Sequence, residues 1–273
     1  MFVNYSVLMS VYAKENPEYL RMAMQSIFQQ TVSTNDFVVV CDGELTVELD
    51  SVILEFKQQF GEVMQILRLE KNVGLGNALK LGLQKCKNEL VARMDSDDIS
   101  LPNRMELEMD LFNNNSHLSI VGSVVAEFTE DQSIVTGQRR VPENQNDIIL
   151  FSKNRNPFNH PSVMFKKSDV EKVGNYDNRF PFFEDYNLWI RLLHSQYNGS
   201  NIQEPLVLMR VSEDMYLRRG GFGYAKNLLA FHLWLKKIHW IGLKEIIFSV
   251  LPHAIVCILP NIIRSFIYKK LRT

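Results

Sequence analysis

The stretch Glu89-Leu-Val-Ala-Arg-Met-Asp-Ser-Asp-Asp98 joins a short apolar run to three carboxylates. The run 89–94 predicts a buried strand, and residues 99–102 after the carboxylates predict a loop. Carboxylates at positions i and i+2 of an extended strand end point the same way, so Asp95 and Asp97 can share one hard divalent cation. Ligands of open α/β sheets bind beyond the carboxyl ends of the strands, where these acids fall. An acidic turn that caps the following helix explains the same residues.

The composition is that of an ordinary globular protein. The chain has 273 residues, of which 46% are hydrophobic and 22% are charged, so it can build one or two domains with a sizeable core. Its net charge of -1 gives no electrostatic support for nucleic-acid binding. An odd number of cysteines without metal-ligand spacing argues against a disulfide framework and suits a reducing cytoplasm. The first residues lack the basic and apolar regions of a signal peptide.

Strand and helix patterns alternate over the first hundred residues. Short apolar or β-branched runs predict strands, and helical spacing of apolar residues predicts the segments between them. The predicted strands are 5–11, 36–41, 63–69 and 89–94, and the predicted helices are 17–30, 47–60 and 76–87. This order predicts a parallel sheet with helices on both faces. The strands are apolar throughout rather than alternating, as strands buried on both faces are.

The pattern changes after a predicted helix at 104–113. Residues 119–128 and 133–141 predict an antiparallel hairpin, 162–165 a strand, and 144–152, 167–173 and 184–195 helices. No linker rich in Gly, Ser or Pro separates these parts. We therefore expect a regular α/β half over 1–115, a mixed half over 116–221 and a distinct tail over 222–273.

A series of motifs occurs in a fixed order along the chain. They are Ser6–Tyr12, Leu20–Thr31, Val38–Gly43, Asn72–Asn77, Arg93–Asp98, Asn159–Phe165 and Phe183–Trp189. From about residue 5 to residue 190 this series resembles the family 2 glycosyltransferases, inverting enzymes of the GT-A fold. Within that family, the chain looks most like the bacterial transferases that build O-antigen, capsule or exopolysaccharide repeat units.

The resemblance implies a fold and an activity. The fold would be GT-A, with a Rossmann-like, mostly parallel sheet flanked by helices. Residues 1–115 would bind a nucleotide sugar, and 116–221 of the same domain would bind the acceptor and supply the catalytic base. The enzyme would move a hexose, with galactose as the first expectation, from a UDP-sugar to a lipid-linked saccharide on polyprenyl diphosphate. Its cofactor would be Mn²⁺ or Mg²⁺.

The resemblance places donor-binding residues after the first two strands. Asp42 would accept a hydrogen bond from a uracil N–H. Many family members have two adjacent aspartates here, whereas this chain has Cys41-Asp42, so Asp42 is the only candidate. It also suits a turn, since Asp-Gly is a common turn pair. Tyr12 and Glu15 would border the base and ribose, although Tyr12 also suits a packed aromatic.

Asn72 and Gly74 belong to a loop expected at the donor. The segment Asn72–Asn77 has two glycines where a dinucleotide fingerprint needs three, so a Rossmann cofactor site is excluded. Its glycines would let the backbone approach the nucleotide closely, or would simply begin a helix. Asp95 and Ser96 would hold the ribose.

The resemblance gives Asp97 the role of a direct metal ligand. Asp95 would contribute to the same site, directly or through a metal-bound water. The metal would act as a Lewis acid and neutralise the departing diphosphate. Asp98 has no firm role and would cap the following helix.

The resemblance assigns Glu184 and Asp185 to the acceptor side. Asp185 would be the catalytic base and Glu184 would orient the acceptor; two acids in the first turn of a helix are also favoured by the macrodipole alone. His160 would line the acceptor cleft or be a hydrogen-bonded structural histidine. Arg218 and Arg219 would form a lid over a diphosphate, since guanidinium groups suit bidentate phosphate contacts, or a solvated loop.

The tail combines aromatic, basic and apolar residues. Its apolar run 246–263 is interrupted by Pro252 and Pro260 and barely reaches the roughly 20 residues that a bilayer span needs. We expect helices over 228–273 to lie on the cytoplasmic leaflet of the bacterial inner membrane, which makes the enzyme peripheral. A buried helix or a dimer interface is the alternative.

Two other classes of function are open to this sequence. One is a GT-A-fold subunit that binds a nucleotide sugar without catalysis. The other is a sugar nucleotidyltransferase, which needs a glycine-rich basic loop after the first strand. Residues 12–17 contain no glycine, which argues against that class. The sequence gives no oligomeric state.

Overall fold

A mixed β-sheet forms the centre of the protein. The structure is a computed structural model that describes residues 2–211, 220–260 and 264. Within these residues the sheet has nine strands: β1 Tyr5–Val11, β2 Asp36–Cys41, β3 Met64–Arg68, β4 Leu90–Met94, β5 Ile99–Ser100, β6 Leu118–Phe128, β7 Gly137–Arg139, β8 Met164–Lys166 and β9 Asn198–Arg210. Their order is β3-β2-β1-β4-β8-β6-β9-β5, and β7 pairs with β6.

The first half of the sheet is parallel, as the sequence predicts. β1 pairs in parallel with β2 and β4, and β2 pairs in parallel with β3. The predicted bounds of β1 and β2 are confirmed, and those of β3 and β4 differ by one residue. The connecting helices are α1 Pro17–Phe28, α2 Val47–Phe60 and α3 Leu75–Lys85, with a 3₁₀ turn at Gly61–Val63. Neighbouring parallel strands therefore end at one edge of the sheet.

Helices cover both faces of the sheet. On one face, α1 and α2 pack with α4 (Arg104–Asn114) in a single apolar core. On the other face, α3 packs with α5 (Gln145–Phe151), α6 (Lys167–Lys172) and α7 (Glu184–His194). Apolar side chains of β1, β2 and β4 contribute to both cores, which explains their continuous hydrophobic sequences.

The second half of the sheet is mixed. β8 is antiparallel to β4 and to β6, and the predicted hairpin is confirmed by the antiparallel pair β6–β7, although β7 is shorter than expected. β9 runs parallel to β6 and carries β5 at its edge. The sequence pattern predicted no strand at β9 and a loop at β5, and both were wrong. Gly199 and Pro205 lie within β9 and its register with β6 shifts, so only the apolar run 206–209 has the composition of a strand.

The C-terminal part of the described chain is helical. It comprises α8 Phe222–Lys237, α9 Leu243–Glu245, a π-helical turn at Ile246–Val250 and α10 Leu251–Ile258. Pro252 lacks an N–H and crowds the preceding turn, which accounts for the π-turn directly before it. In the part of the chain that the structure describes, no helix is both long and apolar enough to cross a bilayer.

Gly82 sets the distance between α3 and the sheet. A Cβ at this position would lie 2.5 Å from Leu8 Cδ1 and 2.5 Å from Val40 Cγ2. We expect Gly82→Ala to lower the free energy of unfolding by about 1–3 kcal/mol, because overpacking outweighs the gain in helix propensity. Denaturant unfolding of the purified protein measures this.

The matched control is Gly223→Ala in α8, where a Cβ meets no atom within 4 Å. It should be neutral or stabilising by up to about 1 kcal/mol. A Gly82 variant as stable as this control would contradict the close packing of α3.

Candidate active site

The carboxyl ends of β2, β1 and β4 bring the predicted donor residues to one edge of the sheet. Tyr12 and Glu15 follow β1, Asp42 follows β2, and Asp95 and Ser96 follow β4. The Ser96 hydroxyl donates a hydrogen bond to Glu15 Oε2 at 2.6 Å, which joins two of these loops directly. Tyr12 is 37% exposed, so it is a surface side chain and not a core aromatic.

Asp42 holds the loop that begins α3. Its Oδ1 accepts the backbone N–H of Val73 at 2.7 Å, and its Oδ2 accepts that of Gly74 at 3.1 Å. The Asn72 amide donates in return to the Asp42 carbonyl oxygen at 3.2 Å. Gly74 has a φ of +83°, a conformation that glycine adopts without strain. Each carboxylate oxygen has a second lone pair, so Asp42 can still accept a hydrogen bond from a ligand.

Three carboxylates after β4 meet in one cluster. Ligand oxygens of Asp95, Asp97 and Asp98 all lie within 4.8 Å of one another. Burial, then the charges of Asp95 and Glu15, raise the pKa of Asp97 to about 7. Burial and the neighbouring Asp97 raise the pKa of Asp98 well above its usual range. A divalent cation would relieve this repulsion, and a set of carboxylate oxygens is what Mg²⁺ and Mn²⁺ prefer. The residues present therefore fit such a metal.

Asp98 does not cap the following helix, and that prediction was wrong. Its Oδ1 accepts the backbone N–H of Arg210 at 2.8 Å, while its Oδ2 has no hydrogen-bond partner among the described residues. The Arg210 side chain donates to the Asp97 carbonyl oxygen at 3.2 Å. Its guanidinium lies 3.7 Å from the ring centroid of Tyr19 and 4.4 Å from that of Phe128. Arg210 ends β9, so the sequence analysis missed it together with that strand.

Arg93 is a buried cation beneath the carboxylates, and the sequence analysis gave it no role. Its side chain is 2% exposed and forms an ion pair with Asp95. Its Nε and Nη1 atoms have no hydrogen-bond partner within the described ranges of the chain. The positive charge of Arg93 opposes the rise in the pKa of both Asp97 and Glu184. The signal was present in the sequence, because Asp95 comes directly after β4, and positions i and i+2 point the same way while the backbone stays extended.

Glu184 and Asp185 begin α7 next to the loop of α3. Asp185 Oδ2 accepts a hydrogen bond from the Asn156 amide at 2.7 Å, and its Oδ1 accepts one from the Tyr186 backbone N–H at 2.7 Å. A Cβ at Gly76 would lie 3.3 Å from Glu184 Cβ, so the two helices begin in contact. Burial and the charge of Asp185 raise the pKa of Glu184 to about 7.

Tyr176 is a buried tyrosine whose pKa depends on both groups of acids. Burial raises the pKa of Tyr176, and the charges of Asp185, Asp95 and Glu184 raise it further. All three acids are therefore close enough to interact with one phenol. The acids after β4 and the acids of α7 thus both affect the electrostatics of Tyr176, and their roles at donor and acceptor stay predictions.

The remaining predicted residues differ in outcome. His160 is half-buried; its Nε2 lies 3.1 Å from the Tyr176 hydroxyl, and its ring packs 6.1 Å from that of Trp189. Burial and the charge of Arg93 hold the pKa of His160 well below its usual range. These contacts favour a neutral, structural histidine, and a role in the acceptor cleft stays a prediction. Arg218 and Arg219 lie outside the described residues.

Comparison with known proteins identifies the family. A model of the family described as Glycosyl transferase family 2 matches residues 6–174, more than half of the chain. The chain belongs to this family. The family 2 match covers the parallel half of the sheet, β8 and the carboxylates that follow β4. It ends before α7.

Two curated relatives match the family 2 chain over nearly its whole length. The UDP-Gal:alpha-D-GlcNAc-diphosphoundecaprenol beta-1,3-galactosyltransferase of Escherichia coli is 40% identical over 269 residues, 97% of this chain and 95% of the relative. The amylovoran biosynthesis glycosyltransferase AmsE of Erwinia amylovora is 34% identical over 266 residues, 97% of this chain and 98% of the relative.

Solved structures confirm the fold. The mannosyltransferase PcManGT of Pyrobaculum calidifontis, in complex with GDP-Man and Mn²⁺, superposes with a TM-score of 0.65 at 13% identity and covers 98% of this chain and 80% of that one. S. aureus TarS 1-349 in complex with UDP-GlcNAc gives 0.64 at 16% identity, with 97% and 73% covered. The family 2 chain is thus a glycosyltransferase with the expected GT-A fold.

Glu184 offers a test of the electrostatics of the site. Its pKa rises from 4.5 in an exposed chain to about 7, so the folded protein binds more protons there than the unfolded one. Ionisation of Glu184 therefore lowers the free energy of unfolding. The loss begins above pH 4.5 and is complete above pH 7. We expect Glu184→Gln to raise the free energy of unfolding by about 3 kcal/mol more at pH 8 than at pH 4. Urea unfolding at both pH values measures this.

Glu130→Gln, at an exposed position, is the control for loss of one negative charge. If the Glu184 variant gained no more stability at pH 8 than at pH 4, the raised pKa would be refuted.

Proposed function

We propose that this enzyme transfers galactose from UDP-galactose, with inversion, to a saccharide on polyprenyl diphosphate during the synthesis of a bacterial surface polysaccharide. The observation that carries the proposal is the 40% identity, over 97% of this chain, to a relative with that donor and a lipid-diphosphate acceptor in its name. Two groups of carboxylates, one after β4 and one at the start of α7, would supply the chemistry that such a transfer needs.

The donor would lie across the carboxyl ends of β2, β1 and β4. Asp42 would accept the uracil N–H with the lone pairs that Val73 and Gly74 leave free. Tyr12 and Glu15 would border the base and ribose. Asp95 and Ser96 would hold the ribose, with Asn72 and Gly74 close by. The support is that these residues share one edge of the sheet, where α/β folds bind nucleotides.

The diphosphate would lie over the carboxylate cluster. Asp97 and Asp95 would hold Mn²⁺ or Mg²⁺ with the help of Asp98; the bound metal supplies Lewis-acid neutralisation of the diphosphate as it departs. The chain's own contribution is to fix these ligands. Arg93 pairs with Asp95, and Arg210 bonds to the backbone of Asp97 and to the carboxylate of Asp98.

Asp185 would be the catalytic base. It would take the proton of the acceptor hydroxyl while that oxygen bonds to the anomeric carbon and the bond from this carbon to the diphosphate breaks. Attack and departure on opposite faces of the sugar invert the anomeric centre. Asn156 and the Tyr186 amide hold the two carboxylate oxygens in place. Glu184, with its pKa near 7, would orient the acceptor by accepting or donating a hydrogen bond.

The acceptor also implies a place in the cell. A saccharide on polyprenyl diphosphate is anchored in a membrane, so we propose that the enzyme works peripherally at the cytoplasmic face of the inner membrane, held by the tail 222–273. His160 would line the acceptor cleft. Arg218 and Arg219 would close over a diphosphate, a role that rests on their sequence alone.

The test is release of nucleotide diphosphate from a panel of UDP- and GDP-sugars with Mn²⁺, with and without a GlcNAc-diphosphate-lipid acceptor. We expect acceptor-dependent release from UDP-galactose. Asp185→Asn should lower kcat at least about 100-fold, because a general base contributes that much or more. Asp97→Ala should lower kcat/KM at least about 100-fold through loss of metal-assisted charge stabilisation.

Asp110→Asn on α4 is the matched control, since this aspartate is exposed and should leave the rate unchanged. Full activity of Asp185→Asn would exclude it as the base. Synthesis of a nucleotide sugar from a sugar phosphate and UTP, without acceptor glycosylation, would overturn the proposed reaction.

A further inference from the structure

The C-terminal helices expose a row of large apolar side chains, here called the apolar row. Its members are Leu243 (57% exposed), Ile247 (46%), Phe248 (75%), Leu251 (43%), Ile255 (62%) and Ile258 (43%). Most of them are three or four residues apart, so they lie along one side of the helical segment. The opposite side is buried at Val250, Ala254 and Cys257. An exposed apolar surface of this extent marks an interaction site rather than ordinary protein surface.

The buried side of this segment is fixed to the catalytic helix. Ala254 and Cys257 pack in one cluster with Phe231 of α8 and with Phe183, the residue directly before Glu184. The rings of Phe183 and Phe231 stack with centroids 5.1 Å apart. The segment that carries the apolar row and the start of α7 therefore pack on the same apolar cluster.

The tail that carries the apolar row is basic, whereas the rest of the chain is acidic. Residues 222–273 contain eight Lys and Arg against one acid, Glu245, a net charge of +7. The chain as a whole has 30 basic and 31 acidic residues. Residues 1–221 therefore contain 22 basic and 30 acidic residues, a net charge of -8. Lys236 and Lys237 end α8, and Lys244 lies in α9 next to Leu243 of the apolar row. An apolar face with basic neighbours binds an anionic lipid surface.

We propose that the apolar row docks on an anionic lipid bilayer, with its apolar side chains at the headgroup boundary and the lysines at the headgroups. Docking names the surface by which the tail 222–273 would be held at the membrane, as proposed above. It would place α7 at the membrane surface and present Glu184 and Asp185 to an acceptor anchored there, a consequence that rests on the proposed reaction. A second copy of the chain is the poorer occupant, because a symmetric contact would bring two segments of charge +7 together.

The test is co-sedimentation of the full-length protein with vesicles, without donor or acceptor. We expect binding to phosphatidylethanolamine vesicles containing phosphatidylglycerol, much weaker binding to phosphatidylcholine vesicles, and a decrease with salt. The triple variant Ile247→Ser, Phe248→Ser, Ile255→Ser should lower the partition coefficient at least about tenfold, because it removes three apolar side chains from the contact.

The matched control is the triple variant Leu54→Ser, Ile134→Ser, Leu150→Ser. These residues are also exposed, by 48%, 60% and 61%, but they lie outside the tail. This control variant should bind vesicles as strongly as the wild type does. Both variants should keep the far-UV circular dichroism and melting temperature of the wild type, so that loss of binding is not loss of fold.

Three outcomes would overturn the proposal: equal loss of binding in both variants, no loss in either, or wild-type binding to neutral and anionic vesicles alike. A dimer that the apolar-row variant dissociates, without vesicle binding by the wild type, would assign the surface to a second copy instead. The proposed reaction fails separately, since vesicle binding without galactose transfer would refute the reaction and leave the docking surface in place.

In the assay, the apolar-row variant should raise KM at least about tenfold for the polyprenyl acceptor in vesicles. It should leave kcat/KM for a short-chain, water-soluble acceptor unchanged. A merely structural role of these side chains would lower activity on both acceptors.

Discussion

Repulsion between Asp95, Asp97 and Asp98 is the constraint on which the rest of the site depends, because their ligand oxygens lie within 4.8 Å of one another. Such a cluster persists only if the surrounding protein holds it in place and supplies opposite charge. Arg93 provides a buried positive charge paired with Asp95, and Arg210 fixes the loop by donating to the Asp97 carbonyl oxygen. A divalent cation would then meet an arrangement already formed, which lowers the cost of binding it.

A second buried ion pair supports the same strand end. Arg104 and Glu108 on α4 are fully buried and paired at 2.9 Å. Arg104 also donates to the carbonyl oxygens of Arg93, at 2.9 Å, and Val163, at 3.2 Å. It therefore ties α4 to β4 and to the residue before β8. Burial raises the pKa of Glu108 to about 7, against the opposing charge and hydrogen bond of Arg104. The cluster thus rests on a buried polar framework instead of an apolar one.

How much of this the sequence could predict depends on the range of the interactions. The bounds of β1, β2 and α2 follow from hydrophobic patterns within a few residues, and the structure reproduces them. The placement of Asp42, Asp95 and Glu15 at one edge of the sheet follows from parallel topology, because neighbouring parallel strands end at the same edge. The role of Arg210 could not be predicted, because Gly199 and Pro205 interrupt the pattern of β9 and the hydrogen bond from the Arg210 N–H to Asp98 joins residues 112 positions apart.

The two roles of Asp42 limit how the nucleobase of the donor could be changed. Its two oxygens hold the Val73 and Gly74 amides that open α3, so one side chain serves both the fold and the proposed base pocket. Replacing it to admit another nucleobase would release both amides as well as the ligand contact. Asparagine keeps only one accepting oxygen, and apolar residues keep none. Nucleobase preference is therefore a costly trait to alter in this scaffold, whereas residues that touch only the sugar can vary without loosening a helix.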